Sequence, residues 1–138
     1  MKGFKALSTE QIIGVLRDRA ADFDDNGTED TIKSKLQRDL ELGHAVLVVE
    51  EDCIAVVRPE RWKPGRTNSL LWLLLVHPDK RGRGVGEKMV LRLVQAFSRE
   101  YPMELLCNGK RRIAYFERCG FKVVKDAGGG SILMQSNI

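Results

Sequence analysis

The spacing of apolar positions changes several times along the chain, and each change marks an element. Ile12, Leu16, Ala20 and Phe23 share one helical face behind Ser8-Thr9-Glu10-Gln11, a stretch with capping-box spacing. Ahead of it, Phe4 to Leu7 reads as a short opening strand. Asp24 to Gly27 is a loop. A second helix starting at Thr28 or Asp30 carries Ile32, Leu36 and Leu40, and Gly43 stands where a C-terminal cap belongs. From His44 the pattern turns valine-rich: Ala45 to Glu50 and Cys53 to Arg58 flank Glu51-Asp52 and predict a hairpin. Arg58 to Asn68 holds two prolines and a glycine and reads as a loop.

The stretch from Ser69 to Phe97 organises the rest. Leu70 to Val76 is apolar without alternation, and His77-Pro78 ends it too soon for a buried helix, so it reads as a strand covered on both faces. After the basic, glycine-rich turn Lys80-Arg81-Gly82-Arg83-Gly84-Val85-Gly86 comes an amphipathic helix from about Gly84 to Glu100. Val85, Met89, Leu93 and Phe97 face inward; Lys88, Arg92, Gln95 and Arg99 form the wet stripe. Tyr101-Pro102 stops it. Met103 to Cys107 then predicts a strand and Lys110 to Cys119 a helix closed by Gly120. Phe121 to Lys125 and Ser131 to Gln135 are strands joined across Gly128-Gly129-Gly130. The order gives one α/β (α+β) domain over residues 1–138: a mixed, mostly antiparallel sheet flanked by about four helices.

Composition narrows the class. With 138 residues, 43% of them hydrophobic and 30% charged, the chain suits one ordinary globular domain. Charge throughout the first twenty residues predicts no secretory signal, and the longest apolar run is far short of the roughly 20 residues of a membrane-spanning helix. Three cysteines, odd in number and without a C-x-x-C pair, read as reduced thiols in a cytoplasmic protein rather than a disulfide frame or a zinc site. The formal charge of +4 is mild.

The glycine-rich turn is suited to an anion. Its glycines let backbone N–H groups converge, and the helix after it points unpaired N–H groups and the positive end of its dipole at whatever sits there. Each charge-assisted hydrogen bond to a phosphate contributes roughly 1.5–3 kcal/mol. Both the nucleoside-triphosphate loop and the dinucleotide fingerprint fail, because Glu87 stands where each needs another residue. What remains is a strand with Val76-x-Pro78, then Arg81-x-x-Gly84-x-Gly86, then a helix. This closely resembles the acetyl-CoA signature R/Q-x-x-G-x-G/A of the GNAT superfamily of N-acetyltransferases, and the resemblance covers nearly all of the chain from Ser8 onward.

The resemblance implies acetyl transfer from acetyl-CoA to a primary amine of a small molecule or protein by direct attack on the thioester, without a metal. It implies that Leu74, Leu75, Val76, Arg81, Gly82, Arg83, Gly84, Val85, Gly86, Glu87, Asn108 and Phe116 hold the coenzyme, with the Val76 backbone polarising the acetyl carbonyl. A Cβ at Gly84 or Gly86 would then intrude on the pyrophosphate. Lys80–Arg83 and Lys110–Arg112 offer charge to the coenzyme phosphates.

A second family motif, Asn followed by a helix ending in Tyr-Glu-Lys-x-Gly-Phe, matches at Gly120-Phe121. Counting back from there puts Phe116 in the tyrosine slot and Gly109 in the asparagine slot, whereas Asn108 and Tyr115 keep the family's mutual spacing one residue early. Tyr115 is the candidate general acid; the alternative is a packed tyrosine with Phe116 lining the tunnel. The fourth-strand glutamate of many relatives is missing. Glu50, Glu51 and Glu104 stand as unranked candidates for the base, and His77 is expected at the surface. Edge strands of this family often pair between subunits, which makes a homodimer an expectation.

Two other functions fit parts of the pattern. One is a non-catalytic acyl-CoA-binding or sensor protein, favoured by the missing strand carboxylate and by Phe116. The other is a nucleic-acid-binding module using Arg58, Arg61, Lys63, Arg66 and Lys110–Arg112, with Trp62 for stacking; it predicts binding that falls steeply with salt.

Overall fold

The computed structural model describes residues 3–18, 35–60, 62–98 and 100–137. In chain order its elements are α1 (Thr9–Asp18), α2 (Gln37–Glu41), β1 (Val46–Val49), β2 (Cys53–Arg58), β3 (Leu70–Val76), α3 (Val85–Phe97), β4 (Glu104–Cys107), α4 (Lys110–Arg118), β5 (Phe121–Gly128) and β6 (Ser131–Ser136). The six strands form one sheet in the order β1-β2-β3-β4-β6-β5. All neighbours are antiparallel except β3 and β4. This is the mixed, mostly antiparallel sheet that the order of elements predicts.

The capping box forms at α1: the Ser8 N–H donates to Gln11 Oε1 at 2.8 Å, and the Gln11 N–H to Ser8 Oγ at 3.2 Å. Ala20, Phe23 and the start of the second predicted helix lie outside the described residues. The opening strand is not there. Phe4–Ala6 forms a 3-10 turn instead, because a single bond from the Phe4 N–H to the Glu51 carbonyl (2.9 Å) anchors it while the Phe4 ring is buried.

Each face of the sheet has its own core. Met89, Val90, Leu93 and Val94 of α3 cover one face, against Cys53, Ala55 and Val57 of β2 and Leu105 of β4. Phe4, Ile12, Leu16 and Leu36 cover the other, against Ile54, Val56, Leu73 and Leu75. Two-sided burial is why β2 and β3 read as unbroken apolar runs.

Two irregularities in β3 make room for a site. Val56 opposes Leu73 and Val57 opposes Leu71, so Trp72 has no register partner on β2 and forms a bulge. On the other side, β3 pairs with β4 only at Leu70↔Glu104. Beyond that pair the two parallel strands part, and the sheet is split from there to Val76 and Cys107.

Candidate active site

The split opens into a cavity of about 800 Å³ whose walls come from β3, β4, the 80–84 turn, the start of α3 and the inner side of α4. Leu74, Leu75, Val76, Arg81, Gly82, Gly84, Val85, Gly86, Glu87, Tyr115 and Phe116 all line it. Of the residues expected at the coenzyme, Arg83 and Asn108 do not. Arg83 is exposed on the outer side of its turn, and Asn108 is half-buried just before α4.

The mouth is cationic. Among the described residues, Lys80, Arg81, Arg112 and Arg118 line the cavity against one carboxylate, Glu87, which lies 3.9 Å from Arg118. No side chain caps α3. The unpaired N–H groups of its first turn, at Val85, Gly86 and Glu87, therefore stand at the cavity wall. Together, the cations, the uncapped helix end and the open edge of β3 fit a long ligand with an anionic head and an amide-bearing arm.

The two glycines serve this wall in different ways. Gly84 precedes α3 with φ of +74°, a backbone that only glycine adopts without strain, and a Cβ there would meet no protein atom within 4 Å. Gly86 leaves room for protein rather than only for a ligand. A Cβ built on it would collide with the Tyr115 hydroxyl and lie 3.1 Å from Val76 Cγ2.

That close approach places the Tyr115 hydroxyl at the junction of β3 and α3. Burial, then the thiols of Cys119 and Cys53 and the carboxylate of Glu87, push this hydroxyl well above the usual tyrosine range, so it keeps its proton at any physiological pH. The neighbouring Phe116 ring meets Tyr115 edge-on at 5.1 Å and Phe121 at 6.2 Å, while also lining the cavity. Both aromatics line the cavity, Tyr115 carrying an O–H and Phe116 an apolar ring.

The candidate bases are placed elsewhere. Glu104 is 0% exposed and accepts from Trp62 Nε1 (3.0 Å), Arg66 Nε (2.7 Å), Arg66 Nη2 and Gln135 Nε2 (2.8 Å). Burial alone would raise its pKa, but the hydrogen bonds from Arg66, Gln135 and Trp62 more than offset this and hold it below the usual range. A carboxylate so engaged is a poor proton acceptor. Glu50 pairs with Arg92 at 3.1 Å and with Lys5 at 3.5 Å. Glu51 is exposed on the β1–β2 turn.

His77 corrects an expectation: it is 4% exposed, not at the surface. Its backbone N–H donates to the Asp52 carbonyl (2.7 Å), its Nδ1 accepts from the Asp79 N–H (3.2 Å), and its ring lies 5.2 Å from Phe4. These bonds cap the 78–80 turn and give it a structural place.

All three thiols are free. Cys53 is pushed up to about 12 and Cys119 to about 11, both first by burial, so neither is a ready nucleophile. Arg58, Arg66 and Trp62, residues of the nucleic-acid reading, are committed inside the protein. Arg58 binds Asp39 at 2.9 Å, and the other two hold Glu104.

Residues sequence reasoning missed are Leu71, Trp72, Leu73, Leu105, Leu106, Cys107 and Arg118 of the wall. For Arg118 a signal existed: it lies three residues after Tyr115, on the same side of a helix.

Comparisons with known proteins agree with this geometry. Residues 42–123 match the acetyltransferase (GNAT) domain family. No curated protein matches the sequence at a significant level. Among solved structures, an acetyltransferase from Thermus thermophilus is similar with a TM-score of 0.62 and 18% identity, over 93% of this chain and 91% of that one. The PH1933 protein of Pyrococcus horikoshii OT3 is similar with a TM-score of 0.59 and 16% identity, over 99% and 83%. AtaTR bound with acetyl-CoA is similar with a TM-score of 0.58 and 9% identity, over 83% of each chain. With the family match spanning more than half the chain and the split sheet of that fold present, this protein belongs to the GNAT acetyltransferase family.

Proposed function

We propose that the protein transfers an acetyl group from acetyl-CoA to a primary amine by direct attack. The observation that carries this reading is the single β3–β4 pair at Leu70↔Glu104, beyond which β3 turns an unpaired edge to a cavity with a cationic mouth. AtaTR, which binds acetyl-CoA, shares the fold.

Acetyl-CoA, when bound, supplies an activated acetyl thioester. Arg81, Gly82, Gly84 and the first turn of α3 would hold its phosphates, and the β3 edge from Leu74 to Val76 its amide-bearing arm. The Val76 backbone would polarise the carbonyl. In the transfer the amine nitrogen bonds to the acetyl carbon while the carbon–sulfur bond breaks. The nitrogen gives up a proton to water, and the sulfur takes one from the Tyr115 hydroxyl, which is refilled from solvent.

Tyr115 holds a proton for that duty beside Val76, and the burial that keeps it protonated also makes it a weaker donor than a free tyrosine. Since a thiol has a reference pKa near 8.5, its anion is a tolerable leaving group, and the acid assists without being indispensable. With Glu104 engaged, the amine enters neutral.

The test is release of free thiol from acetyl-CoA over a panel of primary amines, with acetyl-CoA affinity measured in parallel by calorimetry. Amine-dependent thiol release with micromolar binding is expected. Binding without turnover would move the protein to the sensor class, and no binding would end both readings.

A further inference from the structure

Cys119 closes α4 at its C-terminal end, one helical turn after Tyr115. Its N–H donates to the carbonyls of Tyr115 (3.2 Å) and Phe116 (3.1 Å), which fixes its backbone relative to both aromatics. Its side chain packs, as those of Val76 and Phe116 do, against the core on the α3 side of the sheet. The Tyr115 hydroxyl, in the space that Gly86 leaves, donates a hydrogen bond to the Cys119 sulfur.

A second thiol stands near the same hydroxyl. Cys53 of β2 is the register partner of Val76, but it is fully buried and its S–H donates to the Ile54 carbonyl at 3.9 Å. The charged neighbours of the Tyr115–Cys119 pair are the Glu87 carboxylate of α3 and the Arg118 guanidinium of α4, which lie 3.9 Å apart. Cys119 itself is half-buried, so it combines a bond to the hydroxyl with partial access to water. That matters because a phenolate left in this buried place is costly and has to be refilled. The Cys119 thiol, pushed up to about 11 by burial, remains the stronger acid beside a hydroxyl raised further still, so a proton passes downhill from sulfur to oxygen.

We infer that Cys119 is a positioning residue for the acid: its sulfur holds the Tyr115 hydroxyl beside the split, and its S–H returns the proton that the hydroxyl gives to the departing sulfur. In that return the thiol S–H bond breaks and a phenol O–H bond forms. The thiolate left on Cys119 takes a proton from water, and nothing is oxidised or reduced. Sulfur is a weak acceptor, so the hydroxyl is steadied without being tied down. This inference rests on the acetyl-transfer reading, and its test separates the two.

Cys119→Ala and Cys119→Ser are compared in the unaltered protein and in Tyr115→Phe, with thiol release as one readout. Cys119→Ala is expected to lower kcat roughly three- to tenfold, the range of one lost hydrogen bond, with the KM for acetyl-CoA held within about twofold. Cys119→Ser, which can both accept and donate, is expected to bring kcat back to within about twofold. In Tyr115→Phe the same Cys119→Ala change should cost less than about twofold, whereas a packing defect would carry over whole. The other readout needs no turnover. Cys53 and Cys107 are buried and Cys119 is not, so iodoacetamide labels Cys119 first, and mass spectrometry reads the site. Because the Tyr115 hydroxyl stabilises the Cys119 thiolate, Tyr115→Phe should slow labelling roughly threefold or more at one fixed alkaline pH. An equal loss from Cys119→Ala in both backgrounds, no recovery in Cys119→Ser, or labelling indifferent to Tyr115→Phe would each overturn the inference and leave acetyl transfer standing. Slowed labelling in Tyr115→Phe, with no thiol released from any amine, would keep the Tyr115–Cys119 bond and remove acetyl transfer, and the proton return with it.

Discussion

Tyr115 and Gly86 form one unit, since the hydroxyl of the first fills the space the second leaves open. Tyr115→Phe is expected to lower kcat about ten- to a hundredfold, with acetyl-CoA affinity within twofold of the unaltered protein; thiol-release assays and calorimetry measure the two separately. An unchanged kcat would show that the departing sulfur draws its proton from water. Gly86→Ala is expected to destabilise by about 1–3 kcal/mol through crowding, and by less in a Tyr115→Phe background where the colliding oxygen is gone. Denaturant unfolding of the two single variants and the double variant measures that coupling. The sequence reading kept position 86 small to clear the pyrophosphate and did not foresee Tyr115, because that contact joins residues twenty-nine places apart through a helix packing that no local pattern encodes.

Among the elements, β4 is held at its start by an unusual knot: a fully buried carboxylate with donors from the 59–69 loop and from β6. Glu104→Gln is expected to cost about 3 kcal/mol near neutrality, because it leaves the Arg66 guanidinium without its partner. The depressed pKa of Glu104 carries a sign. Its contribution is fully present above the unfolded value near 4.3 and fades as pH falls through the lower folded value, so the stability gap between the unaltered protein and Glu104→Gln should narrow in acid. Denaturant unfolding followed by circular dichroism between pH 2 and 6 tests this. Most elements were legible from period and punctuation: the α1 capping box, the β1–β2 hairpin and α3 all fall where apolar spacing places them. The opening turn was not, since Phe4 is apolar for burial against α1 and not for pairing along a strand. Nor was the knot, as Trp62, Arg66 and Glu104 lie up to 42 residues apart and a lone Glu in an apolar strand reads as a candidate base.

At the scale of the whole molecule, the pH response follows from how the carboxylates near the split are engaged: Glu104 is held by its donors, and Glu87 sits with Arg118. The logarithm of kcat/KM is expected to rise with unit slope as pH climbs toward the pKa of the acceptor amine, near 10.4 for an alkylamine, without a plateau in the carboxylate or imidazole range. No descending limb from Tyr115 should appear below about pH 10, given the direction of its shift. A plateau near neutrality would mean that a side chain takes the proton after all. The open seam also has a mechanical side. β1–β3 and β4–β6 are two half-sheets riveted at Leu70↔Glu104 and bridged by helices, so whatever lies along the free margin of β3 acts as an added stave between them. At a hundred times its Kd, acetyl-CoA should therefore raise stability by about 2.7 kcal/mol, and slowed amide exchange should spread into β4 and β6 rather than stop at the residues it touches.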